Sequence, residues 1–198
     1  QHLSSLEEAI DSGTVYVDYE RASNSQPYAL SWQTDYTKVI GNIAINQDWI
    51  DNHLYRGTVP LISGDTLVSD ITITSDFYFT FVGSGVTFDG QGNTIDISGV
   101  VSGFGGLFQN GTDGTTGKNN ITIKKLGITS SGTTTLASSA GWIGRAYFGI
   151  GASNNKIENC YSNGQISGNG GGICGSYAGS NSGTVTVSNC YSLGTISG

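Results

Sequence analysis

Two carboxylates seven residues apart, Asp89 and Asp96, are the nearest approach in this chain to a glycoside-cleaving pair. Glycoside hydrolysis needs one carboxyl to protonate the leaving oxygen and a second to attack or to activate water across the bond. The neighbouring acids Asp65, Asp70 and Asp76 fall in turn-like sequence. Cleaving a uronate polymer by elimination needs a base instead, and Lys124, Lys125 and Arg145 are the mid-chain cations. No acidic cluster of the kind that holds Ca2+ accompanies them, because Asp113 and Glu158 stand alone. His2 and His53 are the two histidines, and neither has Cys or carboxylate neighbours at metal-ligand spacing. No Gly-x-Ser-x-Gly elbow occurs, and the run Gly168 to Gly175 lacks the Lys-Ser/Thr of a phosphate loop. Asp89 therefore reads as a corner residue and the cations as solvated charge. No catalytic residue, cofactor site or metal site is expected.

The elements that carry these residues are announced by a repeat. Residues 159–168 read Asn-Cys-Tyr-Ser-Asn-Gly-Gln-Ile-Ser-Gly, and residues 189–198 read Asn-Cys-Tyr-Ser-Leu-Gly-Thr-Ile-Ser-Gly. Eight of ten positions agree at a period of 30. Weaker copies lie upstream. Gly171-Gly172-Ile173-Cys174 is echoed by Gly105-Gly106-Leu107-Phe108 and around Gly141-Trp142-Ile143-Gly144, and Val187 by Ile157 and Ile123. Further back, Ile71–Thr74, Phe77–Val82, Val86–Phe88 and Thr94–Ile97 are short β-branched and aromatic runs broken by Gly, Asp and Asn. About three short strands per thirty-residue repeat describe one coil of a parallel β-solenoid, whose coils stack roughly 4.8 Å apart. Residues one repeat apart then lie over each other: Cys160 on Cys190, Tyr161 on Tyr191, Ile166 on Ile196. Because side chains alternate along a strand, Cys is expected inside and Tyr outside.

Gly171-Gly172-Ile173-Cys174-Gly175 followed by Val187 through Gly198 resembles the GLUG-type repeat, Gly-Gly-Leu-Val-Gly, a spacer, then Asn-Cys-Tyr-x-x-Gly-x-Val-x-Gly. Such repeats occur in bacterial surface proteins, and similar Asn-Cys-Tyr-Ser repeats fill many proteins of large DNA viruses. The resemblance is clear over about residues 140–198 and weaker back to about 66. It implies a right-handed parallel β-helix with virion-associated or extracellular roles, and no catalytic residues. Asp89-Gly90-Gln91-Gly92 also resembles a segment near the start of polygalacturonase-type enzymes. Their paired Asp, Gly-His-Gly and Arg-x-Lys motifs are absent here.

Composition narrows the rest. The 198 residues carry a net charge of −7, with eight Lys and Arg scattered along the chain, which argues against a nucleic-acid partner. Hydrophobic residues are 36%, but 31 glycines restore a globular composition, and no apolar run is long enough for a membrane span. Eight of the fifteen acids lie in residues 1–60, while residues 159–198 carry no charge. Three cysteines cannot all pair within the chain, so Cys160, Cys174 and Cys190 are expected as free thiols, in keeping with folding in a reducing cytoplasm. Thr72/Thr74, Thr122 and Thr184/Thr186 are too irregular for an ice-binding face, and Asn110 and Asn120 begin glycosylation sequons.

Residues 1–60 break the pattern. Leu3, Leu6 and Ile10 fit a short amphipathic helix, and Thr14 to Tyr19 alternates like a strand. A solenoid needs its first edge covered, so residues 1–60 are expected as a cap or as a docking segment using Trp32, Tyr36, Trp49 and Tyr55. Residues 61–198 are expected as the parallel β-helix, continuing beyond Gly198, and the missing initial Met predicts processing or a longer parent chain. The resulting expectation is an all-β, non-enzymatic structural or attachment module of a virion (a minor capsid or fibre-type component) or of a cell surface, with other virion or surface proteins and glycans as partners. The virion setting is preferred because in-register free cysteines suit cytoplasmic assembly. The alternative is a carbohydrate-active, pectate-lyase-like enzyme or glycan-binding module.

Overall fold

A sequence that repeats itself can place like residues over like only if successive strands run parallel. In the computed structural model every strand pair is parallel. The structure describes residues 42–53, 57–100, 103–131 and 134–197, so the helix and strand expected before residue 20, together with Trp32, Tyr36 and Tyr55, lie outside the described residues. The described part is almost entirely strand and turn, an all-β chain whose one helix, α1 (Gln47–Asp51), has five residues.

The strands fall into columns. The first comprises β1 (Ala44–Ile45), β3 (Thr66–Leu67), β6 (Thr87–Asp89), β8 (Thr122–Lys124), β10 (Asn155–Glu158) and β13 (Val185–Ser188), hydrogen-bonded in that order. The second comprises β4 (Ile71–Thr72), β7 (Thr94–Asp96), β9 (Gly127–Thr129), β11 (Tyr161–Ser162) and β14 (Tyr191–Ser192). Two smaller sheets pair β2 (Thr58–Leu61) with β5 (Tyr78–Phe81), and β12 (Ile166–Ser167) with β15 (Ile196–Ser197). The β2–β5 column continues as single bridges, Phe79 to Phe108 to Gly144 to Cys174. The Gly-Gly-Ile-Cys echoes in the sequence are thus paired in register.

Register explains the residue types. Phe88, Ile123, Ile157 and Val187 occupy one line, at steps of 35, 34 and 30 residues. The first three have no exposed surface. Ile71, Ile95 and Ile128 make a second buried line. Between the columns Phe77, Phe79, Phe81, Phe88, Phe108 and Phe148 pack edge-on and stacked, with centroids 5.1–6.4 Å apart. Each such side chain buried contributes about 1.5–3 kcal/mol, which no single repeat could collect alone.

Strand pairing begins at Ala44 and Thr58, within the segment read as a cap. That segment also covers an edge. Asn46 caps α1 by accepting a hydrogen bond from Trp49 N at 2.9 Å, and Ile50 is the residue that the helix buries fully. The Gln47 side chain then takes the place of a strand. Its Nε2 donates to Thr72 O at 3.0 Å, and its Oε1 accepts from Thr72 N at 2.7 Å. β4 is the last strand of its sheet, so one amide satisfies the two backbone groups that its edge would otherwise expose. Replacing Gln47 with Ala should cost about 1–3 kcal/mol and speed exchange of the Thr72 amide proton well above that of Ile95. Hydrogen-exchange NMR would show equal exchange in both proteins if the amide pairing contributes nothing.

Candidate functional site

The carboxylates that a hydrolase would need are held in contacts within and between repeats. Asp89 Oδ1 accepts from Gln91 N at 2.9 Å, closing the corner, while Oδ2 lies 3.3 Å from Lys124 Nζ on the adjacent strand β8. Partial burial works to raise the Asp89 pKa, but the Gln91 N–H and the Lys124 ammonium outweigh it and leave it below the usual carboxylate value. Asp96 sits in the other main sheet and accepts from both Ser98 N and Ser98 Oγ. Asp65 is buried and accepts from Ile62 N at 2.9 Å; Asp70 accepts from Thr94 N at 2.7 Å, one repeat on. These acids serve as turn and inter-repeat fasteners.

The three cations do not converge. Lys124 is engaged by Asp89. Lys125 lines a shallow groove of about 280 Å³ with Gln91, Asn159 and Tyr161. Arg145 lines a different groove of about 300 Å³ with Gln109, Thr112, Asp113, Ser138 and Tyr147. Its guanidinium lies over the Tyr78 ring, 4.2 Å from the centroid, donates to Gly106 O at 3.1 Å, and stands 3.9 Å from Asp76.

The repeated tripeptide defines a ladder on two faces of one strand. Cys160 is 1% exposed, and its N–H donates to Cys190 Sγ at 3.4 Å. Both sulfurs meet carbonyls, Cys160 Sγ that of Glu158 at 3.3 Å and Cys190 Sγ that of Ser188 at 3.2 Å. All three cysteines are free thiols. Burial pushes Cys160 and Cys174 up to about 12, so neither is a nucleophile at neutral pH. Tyr161 and Tyr191 face outward, paired in register and stacked at 5.3 Å and 7°. Ser162 Oγ donates to Gly172 O and meets Ser192 Oγ at 2.9 Å. Ile166 pairs with Ile196, which is 79% exposed. Gly127, opposite Tyr161, is required by sterics: a Cβ there would enter the Tyr161 ring.

Just before each of these strands the chain turns through a left-handed residue. Lys125 (φ 52), Asn159 (φ 55) and Asn189 (φ 51) occupy this corner in consecutive repeats, joined by Lys125 N to Glu158 O and Asn159 N to Ser188 O, both 3.1 Å. Asn tolerates this conformation; Lys does so at a cost of about 1–2 kcal/mol.

Of the other expected residues, Trp49 stacks on His53 at 4.2 Å, and His53 Nδ1 lies 2.5 Å from Trp49 O. His2 is outside the described residues. Among the described residues no group of three or more His, Cys, Asp or Glu could hold a metal, and no helix is long and apolar enough to cross a membrane. Asn110 of the first sequon is buried and bonds Lys118 O at 3.0 Å and Asn155 Oδ1 at 3.3 Å. Lys156 interrupts the register between Thr122 and Thr186, breaking the threonine row.

Sequence reading missed a second tyrosine stack. Tyr147 and Tyr177 lie 4.9 Å apart at 10°. Their spacing of 30 is the repeat period, and that was the available signal. It also missed Asn155, fully buried, whose Oδ1 accepts from Ile121 N at 3.0 Å. No family model matches the chain, and no curated protein and no solved structure matches it either.

Two outcomes follow. Lys125→Asn should raise stability in urea by about 1 kcal/mol by relieving the left-handed corner; an unchanged or lowered midpoint would count against the corner assignment. For Asp89, whose folded pKa is depressed, the stabilisation is present above the unfolded pKa near 4 and is lost as pH falls through the folded value. Asp89→Asn should therefore be less stable than wild type at pH 7, and equilibrium melts should show that gap closing below about pH 4.

Proposed function

We propose that the chain is a right-handed parallel β-helix related to the GLUG-type repeats, and that it works as a non-enzymatic structural or attachment module of a virion or cell surface. The observation that carries this reading is where the candidate catalytic side chains are used. Asp89 meets Lys124 one repeat away, Arg145 is fixed on Gly106 of the preceding repeat and on Tyr78 of the one before that, and the serine and cysteine of each Asn-Cys-Tyr-Ser unit contact their copies. Groups that would do chemistry instead hold successive repeats together. The columns of parallel strands support the helix reading, and the uncharged stretch 159–198 supports a rod whose surface works by shape and hydrogen bonding.

In this role residues 1–60, with Trp32, Tyr36, Trp49 and Tyr55, contact neighbouring virion or surface proteins. The free, high-pKa thiols fit folding in a reducing compartment. Cross-linking the native source material, followed by mass spectrometry, should join residues 1–60 to capsid, envelope or cell-surface proteins. A chain recovered free and unassociated, with activity on a uronate polymer that Lys124→Ala, Lys125→Ala or Arg145→Ala abolishes, would overturn this reading in favour of a pectate-lyase-like enzyme.

A further inference from the structure

The two tyrosine stacks are built alike and finished differently. Tyr161 carries the Tyr191 ring on one side and, with Gly127 opposite it, borders the groove whose polar lining is Gln91, Lys125 and Asn159, with no carboxylate or hydroxyl side chain beside the ring. Tyr147 carries Tyr177 on the side of the following repeat. On its other side is the groove of about 300 Å³, to which Gln109, Thr112 and Asp113 of the preceding repeat contribute, along with Ser138 and Arg145. None of the lining residues comes from the repeat that bears Tyr177. The two rings are also held at a cost. Tyr147 (φ 64) and Tyr177 (φ 63) are both left-handed, a conformation that bulky residues avoid.

The groove combines a flat aromatic wall with a polar rim. The apolar part is Tyr147 with Ala137, Ala140 and Ala146. The rim offers the hydroxyls of Thr112 and Ser138 and the Asp113 carboxylate, which has no ion-pair partner among the described residues, while the Gln109 amide N–H is already donated to Gly111 O and Ala146 O. Thr112 and Asp113 are presented by a tight turn closed by mutual Thr112 and Thr115 backbone bonds of 3.0 and 2.9 Å. Arg145 is a fixed wall, its guanidinium already shared between Tyr78 and Gly106.

We propose that this groove binds a neutral pyranose ring of a glycan, with the sugar's C–H face on Tyr147 and its hydroxyls on Asp113 and the rim hydroxyls. The occupant must be flat on one side, as the Tyr177 ring is on the opposite face. It must also be polar around its edge, because an aromatic side chain would leave the rim groups without partners as it desolvated them. It should be uncharged: Asp113 accepts hydroxyl donors but repels a carboxylate, and Arg145 is engaged elsewhere. The inference rests on the attachment reading and supplies the chemical class of what is attached to.

The test is titration of the intact chain with cellohexaose, mannohexaose, galactohexaose and hexagalacturonate, followed by calorimetry and by amide NMR shifts. The expected result is saturable binding of a neutral hexamer, with shifts at Thr112, Asp113 and Tyr147. Tyr147→Ala should weaken binding about tenfold or more, equivalent to about 1.4 kcal/mol, while Tyr147→Phe, which keeps the ring, should bind as wild type. No saturation by any neutral hexamer, equal binding by Tyr147→Ala, or preference for hexagalacturonate would overturn the groove assignment alone. Shortening of a hexamer during the titration would instead overturn the non-enzymatic reading.

Discussion

The described part of this chain depends on one constraint, the parallel register that sets residues over their counterparts one repeat away. In a parallel ladder a side chain meets its neighbour above and below rather than across a hairpin. Unlike neighbours must be fitted to each other, whereas like neighbours fit automatically. Isoleucine over isoleucine, serine hydroxyl to serine hydroxyl and tyrosine ring on tyrosine ring each solve packing and polar satisfaction together. Where identity lapses, the lapse is compensated. Gly127 lies opposite Tyr161 because the ring needs the room, and Asn155 lies buried because its amide serves the Ile121 backbone and Asn110 at once.

That constraint explains what could be read from the sequence. The pairings of Ile123, Ile157 and Val187, of Tyr161 with Tyr191, and of the Gly-Gly-Ile-Cys echoes are statements about period, and period survives insertion so long as the register recovers. The inward cysteine and outward tyrosine follow from alternation along one strand. Features without a counterpart one repeat away were not legible. Gln47 reaches a backbone 25 residues on, and nothing in a polar segment distinguishes a glutamine that replaces a strand from one that faces water. The Tyr147 and Tyr177 pair keeps the period, but its flanking residues differ, Ala146 and Phe148 against Ser176 and Ala178, so the match is hidden among dissimilar neighbours. The separation of Arg145 from Lys124 and Lys125 was equally unreadable, since it depends on which column each residue joins.

The same constraint separates cohesion from recognition. Inward positions and corners are fixed by their copies, and most polar groups that might carry function are spent on neighbours. The turn bearing Thr112 and Asp113 lies outside the columns of parallel strands and is closed on itself by its own bridge. A groove there can acquire specificity without disturbing the stack beneath it.

The distribution of charge makes two stretches of the sequence respond differently to their medium. From Asn159 to Ser197 the backbone is held by neutral hydrogen bonds and by serine, tyrosine and isoleucine contacts, with no carboxylate or amine to titrate. Earlier in the chain Asp65, Asp70 and Asp89 fasten corners and neighbouring repeats, and Asp89 does so with its pKa depressed by the Gln91 N–H and the Lys124 ammonium. Acid therefore weakens the Asp89 corner and added salt weakens its partly exposed pairing with Lys124, while the uncharged segment presents neither with a target. Neighbouring stretches of one register thus answer differently to their medium, the neutral one keeping its contacts through changes of pH and salt that weaken the charged one.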